Sequence, residues 1–177
     1  AGEMDVVAND HYSWAADPAP HLELALASDR VRGMAGGRPW LLMESAVGAV
    51  NWQPVNRARR PGEALRRTLA VVARGADGAM FFQWRASTAG PEQFHSALVP
   101  HAGENSTTFG ETVEIGNALN RIAEVAGSQV VSDRVALVFS VDATRAWRSG
   151  SKPSDAFGPY DIVRDVHGAL TRAGVTV

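Results

Sequence analysis

The chain has 177 residues, 45% of them apolar and 20% charged, with a formal charge of −2 and an isoelectric point near 6.2. That composition fits a globular protein of one domain or parts of two, and it gives no electrostatic reason for a nucleic acid or an anionic membrane as partner. With no cysteine, disulfide frameworks, thiolate metal sites and cysteine nucleophiles are excluded, and no apolar run approaches the ~18 residues a membrane span needs.

The chain opens on Ala1-Gly2-Glu3, without an initiator Met, a basic segment or an apolar signal segment, which reads as a piece of a longer protein. Met4-Asp5-Val6-Val7-Ala8 is a short apolar run ending in Asn9-Asp10-His11-Tyr12, the pattern of a strand buried on both faces. A helix follows over about residues 18–34, with Asp17 as N-cap, Leu22, Ala25 and Leu26 on one face, and Gly36-Gly37 as its stop. Pro39-Trp40-Leu41-Leu42-Met43 is the second strand and ends abruptly at Glu44.

The loop over residues 45–60 then leads to a second helix, expected to start at Pro61 and to end at Gly75. Arg57, Arg59, Arg60, Arg66 and Arg67 flank its start and read as a solvated face or a structural ion-pair cluster. Ala79-Met80-Phe81-Phe82 is the third strand, ending at Gln83-Trp84-Arg85. After the loop over residues 86–107, Thr108 and Glu111 suggest a capping box. Ile115, Leu119, Ile122 and Ala126 continue that helix to Gly127. A fourth strand is predicted over residues 134–141 and a last helix over residues 160–172, before the β-like Val175-Thr176-Val177.

Strands alternating with helices predict an α/β protein with a parallel sheet. The alternation alone leaves a barrel and an open sheet equally possible. Polar residues nevertheless gather at the C-terminal ends of three successive strands, and two of the following loops are longer than ordinary α/β connections. In (β/α)8 barrels the active site lies at that face.

Glu44, a carboxylate directly after a buried strand, is the sharpest candidate; its alternative is an ordinary turn residue paired with Arg85. Asn51 and Trp52 offer an amide and an indole face for a sugar, or simply a packed loop. Tyr12, Arg85, Glu92 and His95 complete a polar and aromatic set. Glu92 and His95 could ligate a metal by their spacing, but no further ligand cluster accompanies them, so no metal is expected.

The stretches Leu42-Met43-Glu44, Asn51-Trp52-Gln53-Pro54-Val55-Asn56, Pro61-Gly62, Phe81-Phe82-Gln83-Trp84-Arg85, Gly90-Pro91-Glu92-Gln93-Phe94-His95 and His101-Ala102-Gly103 together resemble the β-galactosidases of glycoside hydrolase family 42. The resemblance runs in order from about Asp5 to Phe139. It implies that residues 1–127 are the C-terminal portion of a (β/α)8 TIM barrel. Residues 128–177 would then begin a second α/β, flavodoxin-like domain used in trimer formation.

The resemblance further implies a retaining β-galactosidase acting on terminal β-galactosides or galacto-oligosaccharides through a covalent glycosyl-enzyme. Glu44 would be the nucleophile, Trp52 would line the sugar subsite, and Glu92 and His95 would bind galactose hydroxyls. Tyr12 and Arg85 are further substrate-binding candidates, with Arg85 also the cation expected beside Glu44. No cofactor is implied.

The family's acid/base follows a strand with no counterpart here, so this piece alone is expected to be inactive and poorly stable. Ser45-Ala46-Val47-Gly48-Ala49-Val50 also departs from the Pro-Gly common before the Asn-Trp pair. The absence of cysteine fits the cytoplasm without requiring it, and the resemblance implies a homo-oligomer, a trimer, for the full-length protein. Another retaining glycosidase of the same clan, a β-glucosidase or arabinosidase, and a non-catalytic α/β binding or oligomerisation module are the alternative readings.

Overall fold

The computed structural model describes residues 3–177. It separates into two compact units, Ala1–Val130 and Val131–Val177.

In the first unit, β1 (Ala8–Asp10), β2 (Trp40–Glu44) and β3 (Ala76–Ala79) form a parallel sheet in the order β1-β2-β3. The crossovers run through α1 (Pro20–Met34) and α2 (Glu63–Val72), and α3 (Thr107–Arg121) follows β3. Strand order follows chain order without reversal. One cluster joins α1 residues Leu24 and Val31, β2 residues Trp40 and Leu42, α2 residue Val71 and β3 residue Ala76. Val31 and Trp40 are almost completely buried, and each such side chain contributes roughly 1.5–3 kcal/mol by leaving water.

The expectation that the strands are buried on both faces holds for only one face of β2. Trp40 and Leu42 lie against the helices, whereas Met43 is 43% exposed. The first strand begins later than the apolar run, and Met4 and Val6 are more than half exposed. Pairing decides this boundary: the ladder to β2 starts where Leu41 N–H donates to the Val7 carbonyl at 3.1 Å. The third strand is likewise displaced, because β3 uses Ala76–Ala79. The apolar run after it is held by single bonds, from Met80 N–H to the Leu42 carbonyl at 2.8 Å and from Phe82 N–H to the Ser45 carbonyl at 2.9 Å.

Helix ends also depart from expectation. Ala19, not Asp17, is the N-cap of α1, and the Asp17 carboxylate accepts from the Ala19 N–H at 2.8 Å. Ser106, not Thr108, caps α3 by accepting from Phe109 N–H at 3.2 Å. α3 stops at Arg121, and a single 3-10 turn, Ala123–Val125, leads to Gly127. Gly75, at φ +90°, turns the chain from α2 into β3, where a Cβ would meet Val130 Cγ2 at 3.3 Å. Only glycine tolerates that combination of backbone angle and crowding.

The second unit contains α4 (Val141–Arg148) and α5 (Pro159–Arg172), which pack on each other. Ser140 caps α4 by accepting from Ala143 N–H at 3.1 Å. The predicted fourth strand is absent among the described residues: residues 134–140 form no ladder, and Val141 starts a helix. Val135, Leu137 and Phe139 still alternate with more exposed neighbours, Val138 being 88% exposed. At the β-like end, Val175-Thr176-Val177, Asp133 N–H donates to the Thr176 carbonyl at 3.1 Å and Thr176 N–H donates to the Asp133 carboxylate at 2.6 Å, without a strand ladder among the described residues. A period-two sequence becomes a strand only when a neighbouring chain satisfies its backbone groups.

Candidate active site

Glu44 is the last residue of β2. Just before it, the register with β1 slips, so that Asn9 faces Leu42 while Asp10 faces Glu44. Met43 is the extra residue, and an irregularity of this kind changes the direction of the side chain that follows it. Glu44 thereby escapes the helix-facing alternation of Trp40 and Leu42, and its Oε2 accepts a hydrogen bond from the Tyr12 hydroxyl at 3.0 Å.

Tyr12 ties the site together. Its ring meets Trp52 edge-on at 5.5 Å and His95 edge-on at 5.9 Å. Burial, the bond to Glu44 and the negative charges of Glu44, Asp10 and Glu92 together raise the Tyr12 pKa beyond the usual tyrosine range. Its hydroxyl is therefore a constant donor. His95 is almost completely buried between Tyr12 and Phe82, whose ring lies 5.0 Å away. The Ser96 carbonyl can only accept, so His95 Nδ1 carries the proton in their 2.9 Å bond and Nε2 is left as an acceptor in the neutral ring.

Glu92 Oε2 is buried without a hydrogen-bond partner. A buried carboxylate oxygen in that state costs on the order of 1–3 kcal/mol or more, so it marks a place where a donor, such as a sugar hydroxyl, is needed. Trp52 is half exposed, and Trp14, also half exposed, stands edge-on to it at 6.2 Å. Trp14 lies two residues beyond Tyr12 in the aromatic stretch after β1 and belongs to this face. The sequence signal for it was that stretch itself.

Three loops are cross-tied beneath these groups. Gln53, 5% exposed, accepts from Ala15 N–H at 3.0 Å and donates to the Ser13 carbonyl at 2.9 Å. The loop after β2 is thus joined to the loop after β1. Gly48 N–H donates to Ser96 Oγ at 3.0 Å, Ser96 N–H donates to the Ala49 carbonyl at 2.9 Å, and Asn51 Nδ2 donates to the Pro91 carbonyl. Gln83 Nε2 holds the Glu92 carbonyl at 3.1 Å. Gln53, Ser96 and Gln83 carry no chemistry recognisable in sequence, since their function is to hold other backbones.

Arg85 is placed differently from expectation. It is exposed and bridges to Val99 through the backbone, and among the described residues no ion pair or hydrogen bond joins it to Glu44. The group beside Glu44 is the neutral donor Tyr12. Nor is the arginine cluster wholly a solvated face. Arg67 is 13% and Glu63 9% exposed in their side chains, and Arg59 Nε and Nη1 are shielded from solvent. Among the described residues no group of three metal-ligating side chains is placed to hold an ion, and no helix is long and apolar enough to cross a membrane.

Comparison with known proteins bears on the family and the fold. The family model described as β-galactosidase, glycoside hydrolase family 42, matches residues 1–122. A β-galactosidase of Arthrobacter sp. is 52% identical over 177 residues, 100% of this chain and 25% of that protein. The β-galactosidase BbgII of Bifidobacterium bifidum is 38% identical over 98% of this chain and 25% of its own length. In structure, a β-galactosidase from Rahnella sp. superposes with a TM-score of 0.92 at 33% identity, over 99% of this chain and 27% of that one. One from Bacillus circulans gives 0.88 at 35% identity, over 96% and 25%. The chain thus spans about a quarter of the length of these relatives, in a mixed α/β fold with the same parallel sheet. It belongs to glycoside hydrolase family 42, the β-galactosidase family.

Proposed function

We propose that this chain is the C-terminal part of the catalytic barrel of a retaining β-galactosidase, with Glu44 as its nucleophile. The carrying observation is the Glu44 carboxylate at a parallel strand end, bonded by Tyr12 under an exposed tryptophan face and near a buried, unpartnered Glu92 oxygen. The barrel reading draws support from the unreversed order β1-β2-β3. It also accounts for the half-exposed inner face of β2, which further strands of a barrel would cover.

In this reading Glu44 attacks the anomeric carbon while an acid outside the chain protonates the departing oxygen; water then releases the sugar from Glu44. The C–H face of galactose stacks on Trp52. Glu92 Oε2 accepts from a sugar hydroxyl, His95 Nε2 accepts from another, and Arg85 reaches the substrate from the rim. Selection against the wrong epimer follows because it would leave the Glu92 oxygen unpaired again. Residues 128–177 begin a flavodoxin-like domain, and the longer protein is a cytoplasmic homotrimer. The isolated chain, lacking the acid/base, turns over no galactoside.

The test is labelling of the full-length protein with a 2-deoxy-2-fluoro-galactosyl fluoride, followed by peptide mass spectrometry. A galactosyl adduct on Glu44 is the expected result. An adduct on another carboxylate, with galactoside turnover intact, overturns the assignment.

A further inference from the structure

We propose that this chain holds a small inorganic anion of the halide class between the Arg59 and Arg67 guanidinium groups, behind the Tyr12–Trp52 face. The proposal does not depend on which sugar the site hydrolyses.

Charge balance carries the first part. Glu63 is the carboxylate for three arginines: it lies 3.5 Å from Arg57 and 3.9 Å from Arg67, and its charge also acts on Arg59. The same Glu63 Oε2 is further occupied by the Arg60 N–H at 3.1 Å. Arg59 makes no ion pair among the described residues, and its Nε and Nη1 are buried without an acceptor. A guanidinium does not escape such a position by losing its proton, and a buried unpaired charge is among the costliest states a fold can contain. Burial pushes the Arg59 and Arg67 pKa values down; Glu63 opposes this at both, while Arg57 repels Arg59 and Arg59 repels Arg67. His11 gives no relief: burial, then Arg67 and Arg59, hold it down to about 4, so it is neutral at physiological pH.

Space carries the second part. Arg59 and Arg67 both line a cavity of about 30 Å³, bounded on its other sides by Tyr12, Trp14, Arg57 and Glu63. A water-sized body needs about 10–15 Å³ on this measure, so the cavity admits a monatomic anion or one or two waters. A sugar or a phosphate ester is too large. Because Tyr12 and Trp14 form one wall and the loop after β2 another, an anion here would brace the two loops that carry the candidate active site.

The test uses crystals of the full-length protein soaked in bromide, and melting curves in chloride against gluconate at equal ionic strength. The expected results are an anomalous peak within hydrogen-bonding distance of Arg59 and a saturable, chloride-specific rise in Tm of about 2–4 °C. Arg59→Lys, which keeps the charge but loses the fork, should lose most of that rise. A carboxylate from elsewhere in the full-length chain bonded to Arg59 overturns the proposal. So does the absence of a bromide peak, or equal stabilisation by gluconate. The bromide map is read on the unsubstituted protein, so it decides even if the variant fails to fold.

Discussion

The Tyr12 hydroxyl donates to Glu44 Oε2 at 3.0 Å, joining the loop after β1 to the last residue of β2. This bond orients the carboxylate. Because the Tyr12 pKa is raised above its ordinary value of 10.0, the folded state binds that proton more tightly than the unfolded chain. The associated stability is complete below pH ~10 and is lost only above it. Tyr12→Phe in the full-length protein should lower kcat for an aryl galactoside by about 10- to 100-fold, the worth of a hydrogen bond to a charged group. KM should change little. An unchanged kcat would show that the bond has no part in turnover.

Gly48 is a close approach rather than a flexible joint. A Cβ there would stand 2.9 Å from Ser96 Cβ, whose backbone carbonyl anchors His95. Gly48→Ala should therefore cost about 1–3 kcal/mol of stability and raise KM by moving His95. Gly33, on an exposed turn of α1, has nothing within 4 Å of its Cβ position. Gly33→Ala should leave kinetics alone and stabilise by up to about 1 kcal/mol. Melting curves and KM of the two variants, compared side by side, check both statements.

His11 predicts an acid-sensitive fold. Its pKa is lowered from 6.5 to about 4, chiefly by burial and then by Arg67 and Arg59. Between those values the unfolded chain binds the proton and the native protein does not. Stability is thus present above pH 6.5 and falls as pH drops toward 4. The full loss is about 3 kcal/mol at most. In urea titrations across this range, His11→Gln should flatten the slope; a parallel curve would assign the acid loss to other groups.

Asp29 stands at the opposite end of the first unit's sheet from Glu44. It is 8% exposed and accepts from Arg32 Nη1 at 2.6 Å and from Arg74 Nη1, while the Arg74 carbonyl accepts from Trp40 Nε1 at 3.2 Å. Asp29→Ala removes the carboxylate that two guanidinium groups share and should destabilise by about 3–5 kcal/mol. Measured well below the melting range, kcat should be unaltered, since this network ties α1 to the turn after α2 and to the start of β2, not to Glu44 at the strand's other end.

How far the sequence reaches differs residue by residue. Glu44, Trp52, Glu92 and His95 could be singled out because their side chains are chemically conspicuous at strand ends and loops. α5 is visible because a helix satisfies its own backbone hydrogen bonds, and β2 because its apolar run has both β1 and β3 to pair with. The run over residues 134–140 looks like a strand by the same rule yet has no partner, and β3 forms on Ala76-Asp77-Gly78-Ala79, which has no strand signature at all. Backbone pairing is a property of two segments, and single-segment periodicity does not contain it.

Side-chain identity and spacing alone determine that this is an α/β chain whose polar residues collect at one end of its strands. The tertiary structure decides what those residues meet. It turns Glu44 toward Tyr12 through the slip at Met43, and it leaves Arg85 outside. It closes Arg59 and Arg67 into the interior. Contacts such as Tyr12 with Glu44, 32 positions apart, depend on register, burial and local dielectric, which arise only once the elements have packed.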